Sequence, residues 1–256
     1  MVNDIRLPLK KFIPHFLQAQ QDNLNEADTV MRISKFFEDV LGYDALFEIS
    51  RETHLKGKFV DIAIKIDGVI KLLVEVKAAG VTLRDRHIEQ AEAYASRSNY
   101  RWVLLTNGVV WNLYHLTFDQ GIEYERAFSV DLTVNSLDEA VERLGLLSKA
   151  SVRKGEHEKY WEKRTALSPS AIGMCLFQKD VLMLIRREIR RQCGSLIDPE
   201  DLATAIHAML SPEARELIGP RRIHRARPKK RLSRPEGSEI VAQPKEARGD
   251  GGDVPS

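Results

Sequence analysis

Asp61, Glu75 and Lys77 are the residues whose types and spacing suit chemistry. Thirteen residues separate the two carboxylates, and one valine, Val76, separates Glu75 from the lysine. Two carboxylates brought together repel, and a hard divalent cation such as Mg²⁺ or Mn²⁺ relieves the repulsion through oxygen ligation. An ion held there polarises a phosphoryl oxygen and acidifies a bound water. A lysine beside it can orient or deprotonate that water, or neutralise charge in the transition state. Such a set suits phosphodiester hydrolysis. The competing reading is an ordinary amphipathic strand whose solvent face carries Glu75 and Lys77, paired with Lys65 and its neighbours.

The elements that must position these residues are two strands. Phe59–Ile66 alternates, with Val60, Ile62, Ile64 and Ile66 on one face and Asp61, Ala63 and Lys65 on the other. Val69–Lys77 follows a turn signal at Asp67-Gly68, and Ile70, Leu72, Val74 and Val76 form its apolar set. If both strands bury the same face, opposed residues must have numbers with an even sum. A two-residue loop gives an odd sum. A three-residue loop, Asp67-Gly68-Val69, pairs Ile66 with Ile70 and sets Asp61 opposite Glu75, with Lys77 two residues on.

Residues 5–22 show mixed helical periodicity broken at Pro8 and Pro14. A helix capped by Asn25 carries Val30, Ile33, Phe37, Val40 and Leu41 on one face and stops at Gly42. Leu46–Arg51 alternates as a strand. A helix is expected from Leu83 to Arg97. Trp102–Thr106 and Val109–Leu116 read as a hairpin joined at Asn107-Gly108, and Ser136–Leu146 as a helix. Strand signals then cease. Helices are expected at Glu156–Arg164, Ser168–Phe177, Gln178–Gln192 and Asp198–Leu210, with Ser168 and Asp198 as caps.

This pattern resembles the PD-(D/E)XK nucleases, and more narrowly the N-terminal nuclease domain of type I restriction enzyme R subunits. The resembling pieces are Asn25-Glu26-Ala27, Leu41-Gly42-Tyr43, Phe59-Val60-Asp61, Leu73-Val74-Glu75-Val76-Lys77-Ala78, Gln90-Ala91-Glu92-Ala93-Tyr94-Ala95 and Leu105-Thr106-Asn107-Gly108. The resemblance implies an α/β (α+β) restriction-endonuclease-like fold, a mixed sheet flanked by helices. It implies a metal-dependent DNA endonuclease, with the ion held by Asp61, Glu75 and the carbonyl of Val76. It also implies an auxiliary acid at Glu26 and a supporting Gln90. Two departures stand out. Val60 occupies the place of the family's proline, and no GxxxxGK[ST] phosphate loop occurs, so ATP-driven translocation is not expected of these residues.

From the residues alone, Glu26 starts the buried face of its helix and reads equally as a first-turn dipole residue. Gln90 shares a helix face with Tyr94. Tyr94, Trp102 and Trp111 read as core aromatics, and His87 as a lone histidine near the proposed site.

The expected organisation is a nuclease domain over residues 1–148, a small helical region over 149–218 and a disordered basic tail over 219–256. Hydrophobic residues make up 43% of the 256 and charged residues 30%, with a net charge of +2. The tail holds ten Lys/Arg against five Asp/Glu, which leaves 29 and 32 for the remainder. Arg221, Arg222, Arg225, Arg227, Lys229, Lys230, Arg231 and Arg234 precede its first acid, Glu236. That run is a candidate phosphate-binding segment, or a solvated tail. The pairs Arg186-Arg187 and Arg190-Arg191 read as a solvated helix face.

Apolar runs are too short to span a bilayer and no apolar signal core opens the sequence, so a cytoplasmic protein is expected. Cys175 and Cys193 lack CxxC spacing, and no zinc site is expected. DNA is the expected partner, and further restriction or defence subunits and a homodimer are compatible ones. The alternatives to an active enzyme are a catalytically silent nucleic-acid-binding or assembly module and a helical adaptor.

Overall fold

A computed structural model describes residues 5–55, 58–84, 86–89, 100–118 and 121–218. Asn25 opens helix α2 (Glu26–Asp39), its side chain accepting the Asp28 N–H, and Gly42 at φ 80° turns the chain out of it. Ahead of it, α1 (Arg6–Gln21) is one helix. Pro8 sits in its first turn, where an N–H would lack a partner anyway, and Pro14 is carried in the interior. The break expected at these prolines does not occur. Leu9, Phe16 and Ala19 anchor the helix in the core on both sides of Pro14.

Six strands follow: β1 (Ile49–Leu55), β2 (Lys58–Ile66), β3 (Val69–Val76), β4 (Trp102–Thr106), β5 (Val110–Thr117) and β6 (Glu123–Asp131). They form one mixed sheet in sequence order. Every neighbouring pair is antiparallel except β3–β4, which is parallel. A parallel pair needs a crossover, here residues 77–101, of which 86–89 are described and helical. Of the helix expected over Leu83–Arg97, Leu83 and Arg84 are not helical, and residues 85 and 90–97, with Gln90 and Tyr94, lie outside the described residues. Strand β1 begins at Ile49, later than expected, because 44–48 form a turn in which Asp44 Oδ1 accepts the Leu46 and Phe47 N–H groups. Strand β6 has no counterpart among the expected elements.

The β2–β3 connection differs from the expected loop. Asp67 (φ 52°) and Gly68 (φ 77°) make a two-residue turn that pairs Ile66 with Val69. Two positive φ values in succession fit the hairpin turn favoured by strand twist. A register shift between Ile64 and Lys65 leaves Lys71 unpaired, and Ile64↔Leu72, Ala63↔Leu73 and Ile62↔Val74 follow. The bulge thus restores the even-sum register that the sequence argument assigned to the loop. It also moves Ile70 away from Leu72: Ile70 packs with a second apolar cluster and Leu72 with the first.

Both faces of the sheet are covered. One holds Ile62, Ile64, Leu72, Val74 and Val76 under α1 and α2 residues Leu9, Phe16, Ile33, Phe36 and Phe37. The other holds Val60, Ala63, Leu73, Val103, Leu105 and Ile88. Val60 therefore does not share a face with Ile62 as alternation predicts. The face that the competing reading assigned to solvent is buried as well.

After β6 come α3 (Leu137–Gly145), closed by a Ser136–Glu139 capping box, α4 (Lys149–Arg153), α5 (Glu156–Ala166), α6 (Pro169–Leu176), α7 (Lys179–Cys193), α8 (Pro199–Met209) and α9 (Pro212–Ile218). The chain divides into one compact unit up to Gly173 and a second from Met174. The division falls later than the expected boundary at 148 because α4 and α5 pack with the sheet unit. Lys149 N–H donates to Leu41 O and its ammonium meets Glu48 at 2.8 Å, Val152 lies in the main core, and Tyr160 and Trp161 pack against it. The second unit gathers Phe177, Leu182, Leu202 and Ala203 into its own small core. There Arg191 is paired with Glu188, and Arg186 donates to Ile197 O. Cys175 and Cys193 are free and exposed. Among the described residues no helix is long and apolar enough to cross a membrane.

Candidate active site

The β2–β3 ladder ends at Ile62↔Val74 although both strands run on. One step further, Asp61 stands beside Glu75. Its carboxylate takes the place a ladder carbonyl would hold, with Oδ2 accepting the Val76 N–H at 2.7 Å. On the far side, β4 supports β3 through Glu75↔Leu105 and Val76↔Thr106, and Thr106 O accepts the Lys77 N–H at 2.8 Å. The segment carrying Glu75, Val76 and Lys77 is thus pinned from both neighbours.

Glu75 is only 2% exposed, and Oε1 accepts from Lys77 Nζ at 2.6 Å. The ammonium, 12% exposed, also lies 3.8 Å from Glu26 Oε2. Glu26 reaches in from the first turn of α2 while remaining 50% exposed. The structure therefore brings Glu26, Asp61, Glu75 and Lys77 together from three elements. Gln90 and the tail residues Arg221, Arg222, Arg225, Arg227, Lys229, Lys230 and Arg231 lie outside the described residues.

Burial pushes the Asp61 carboxyl up to about 6, and the Glu75 and Glu26 charges add to the rise against the Val76 N–H and Lys77. Burial pulls Lys77 down, but its hydrogen bond to Glu75 and the charges of Glu75, Glu26 and Asp61 outweigh this and raise it. Among the described residues the cluster sets three carboxylates, Glu26, Asp61 and Glu75, against the Lys77 ammonium, a balance that favours a cation.

The donor set fits a hard divalent ion: oxygen atoms from Asp61, held by the Val76 N–H, and from Glu75, held by the Lys77 ammonium. Among the described residues no group of three or more His, Cys, Asp and Glu side chains converges on a point that could hold a metal. Two side chains completed by a main-chain carbonyl and water is a set typical of Mg²⁺, which keeps much of its hydration.

Four residues near the site carry further information. His87 lies close enough to sense Lys77 and Glu75; burial lowers it first, Arg86, Lys77 and Arg84 lower it further, and its Nδ1 accepts the Arg84 N–H. Arg51 and Glu52, which the sequence argument did not single out, line a cavity of about 640 Å³ with Glu26, Ala27, Val30, Met31 and Asp61. A left-handed glutamate has no sequence signature, so no signal could have found them. Asn107, by contrast, is legible as a turn. Its Oδ1 accepts the Val109 and Val110 N–H groups and its Nδ2 donates to Val81 O, which ties the segment after Lys77 to the β4–β5 loop.

Comparison with known proteins finds a family match over part of the chain. Residues 33–127 match the family model described as type I restriction enzyme R protein N terminus. The matched span contains Asp61, Glu75, Val76, Lys77 and Gln90 but not Glu26, and is less than half of the chain. The resemblance read from the sequence to the N-terminal domain of those R subunits is found here independently. Neither the curated proteins nor the solved structures contain a match.

Proposed function

We propose that this chain is a metal-dependent nuclease of the restriction or defence type, hydrolysing phosphodiester bonds of DNA. The observation that carries the reading is the surplus of negative charge around Asp61, whose carboxyl is held near 6 by burial beside Glu75. A divalent ion, Mg²⁺ or Mn²⁺, would be held by Asp61, Glu75 and the carbonyl of Val76. It would supply charge neutralisation at the phosphoryl oxygen and an acidified water. Asp61 and Glu75 would fix its position. Lys77, held by Glu75, stands where it can orient the attacking water and balance charge as the phosphorane-like transition state forms. Glu26, 3.8 Å from the ammonium, positions Lys77 rather than the ion. Gln90 is a supporting residue by family resemblance alone.

The basic run from Arg221 to Arg234 is assigned a share of nucleic-acid affinity. Phosphate contacts from such a run carry no sequence preference. The reading places the protein in the cytoplasm with DNA, beside other subunits of a restriction or defence system or a second copy of itself.

Incubation of the purified chain with DNA and RNA in Mg²⁺ or Mn²⁺, against EDTA, tests it. DNA cleavage should require the metal and vanish in Lys77→Ala. No cleavage and no calorimetric metal binding by the unaltered protein would overturn the enzyme reading in favour of a catalytically silent binding or assembly module.

A further inference from the structure

Strand β1 departs from regular geometry at one residue. Glu52 has φ 47°, in the left-handed region that a side-chain-bearing residue rarely adopts. The pairs Arg51↔Ile62 and Thr53↔Val60 bracket it, so the irregularity lies across from Asp61. Alternation slips on β2 at the same point, since Val60 packs in one apolar cluster and Ile62 in the other. In a regular strand, Arg51 and Glu52 would face opposite sides of the sheet. Here both line the cavity that contains Asp61.

That cavity holds three carboxylates, Glu26, Glu52 and Asp61, and one cation, Arg51. A second trough of about 690 Å³ runs from it along α2, and the two share Met31 and Arg51. The other cations of the trough are engaged. Arg32 donates to His15 O at 3.2 Å, and Lys35 pairs with Glu38 and Asp39. Arg51 is exposed, and among the described residues its guanidinium has no hydrogen bond or ion pair. Met31, 60% exposed at the same junction, gives an apolar surface beside it.

An anionic strand enters an acidic cavity only where positive charge receives it. At the scissile phosphate that charge comes with the cation assigned to Asp61 and Glu75. At the adjoining phosphate the residue in place is Arg51, whose planar fork suits phosphate oxygens. We propose that Arg51 holds the phosphate next to the scissile one, in a strand lying along the α2 trough, and that the left-handed backbone at Glu52 turns it there. This rests on the nuclease reading and adds to it a contact that only a substrate with a second phosphate beside the scissile one can make.

The test has two arms. With Ca²⁺ in place of Mg²⁺, so that a cation is present without turnover, anisotropy of a short fluorescein-labelled DNA should show Arg51→Ala weakening binding about tenfold. The slope of log affinity against log salt should fall by about one phosphate's worth. Glu52→Val and Glu52→Gly both remove the same charge, so Glu52→Val, which disfavours the left-handed backbone, should bind more weakly than Glu52→Gly, which adopts it freely. In Mn²⁺, the Arg51→Ala loss of kcat/KM should be about tenfold greater on the polymer than on bis(p-nitrophenyl) phosphate. An unchanged salt slope, or equal losses on both substrates, overturns the proposal. A protein that cleaves neither substrate refutes the nuclease reading instead, and the binding arm still decides Arg51. Circular dichroism melts of each variant separate misfolding from lost contact.

Discussion

The Asp61 carboxylate accepts the Val76 backbone N–H at 2.7 Å, so one oxygen of a proposed ion ligand belongs to the sheet's own hydrogen bonding. The side chain closes a gap where the β2–β3 ladder ends and stands beside the buried Glu75. That position fixes its direction and disfavours its charge, since burial and the Glu75 anion hold its carboxyl near 6.

Asp61→Asn should therefore stabilise the metal-free fold at about pH 8. The amide oxygen can still accept the Val76 N–H, and no charge is buried. The native group has a raised pKa, so its contribution is fully present below the unfolded value of 3.8 and is lost as pH rises through about 6. Thermal melts in EDTA should show the variant above the native protein at about pH 8 and the gap closing towards about pH 4. Mg²⁺ should raise the native melting temperature and leave that of the variant unchanged. A variant less stable at every pH would show that the Asp61 charge is compensated within the fold.

Much of this site was legible because strand alternation and the spacing from Asp61 to Glu75 constrain the register strongly. The means of reaching that register were not legible. A bulge at Lys71 and a two-residue turn sum to the same offset as a three-residue loop, and nothing in Ile70-Lys71-Leu72 marks the bulge. Strand β6 escaped for a different reason. As an edge strand it buries only Ala127, Phe128 and Val130, and Glu123, Glu125 and Arg126 give it the texture of a loop. Pro14 reads as a helix break because propensity alone omits the core packing that overrides it. The strained backbone at Glu52 depends on tertiary context and left no trace in residue type.

His157 should make the sheet unit acid-sensitive. Its ring lies 5.0 Å from Trp102, its Nδ1 has no hydrogen-bond partner among the described residues, and burial with Lys71 and His115 holds its pKa down at about 4. The unfolded chain takes this proton near 6.5, so stability is present above that value and lost as pH falls through about 4. His157→Phe keeps the aromatic contact and should flatten the melting temperature between these limits. An unchanged acid slope would assign it to other groups.

Gly108→Ala should cost about 3 kcal/mol. Gly108 has φ 88°, and an added Cβ would lie 2.7 Å from Phe16 Cδ1. Phe16 cannot retreat, because its ring packs on Phe12, Phe36 and Trp111. Denaturant unfolding should show a lower midpoint at constant slope. A loss below about 1 kcal/mol would mean that the β4–β5 loop relaxes freely.

Lys77→Ala separates the two tasks of the ammonium. Its removal leaves the Glu75 carboxylate, 2% exposed, without the cation 2.6 Å away. Breaking a buried pair from one side costs about 3 kcal/mol or more, so the variant should melt well below the native protein in EDTA. Mn²⁺ supplies positive charge at the same carboxylates, so it should raise the melting temperature of the variant more than that of the native protein. Cleavage should stay absent even when stability returns, because charge at the ion's position does not replace a donor beside the water. Lys77→Ala with Glu75→Gln should recover stability in EDTA and lose most of the Mn²⁺ gain, since of the two carboxylates only Asp61 remains to attract the ion. If Mn²⁺ shifts neither the native protein nor Lys77→Ala, the carboxylates do not hold a metal and the cluster is an internal ion pair. If Lys77→Ala cleaves DNA as fast as the native protein, the metal assignment stands and the role given to Lys77 does not.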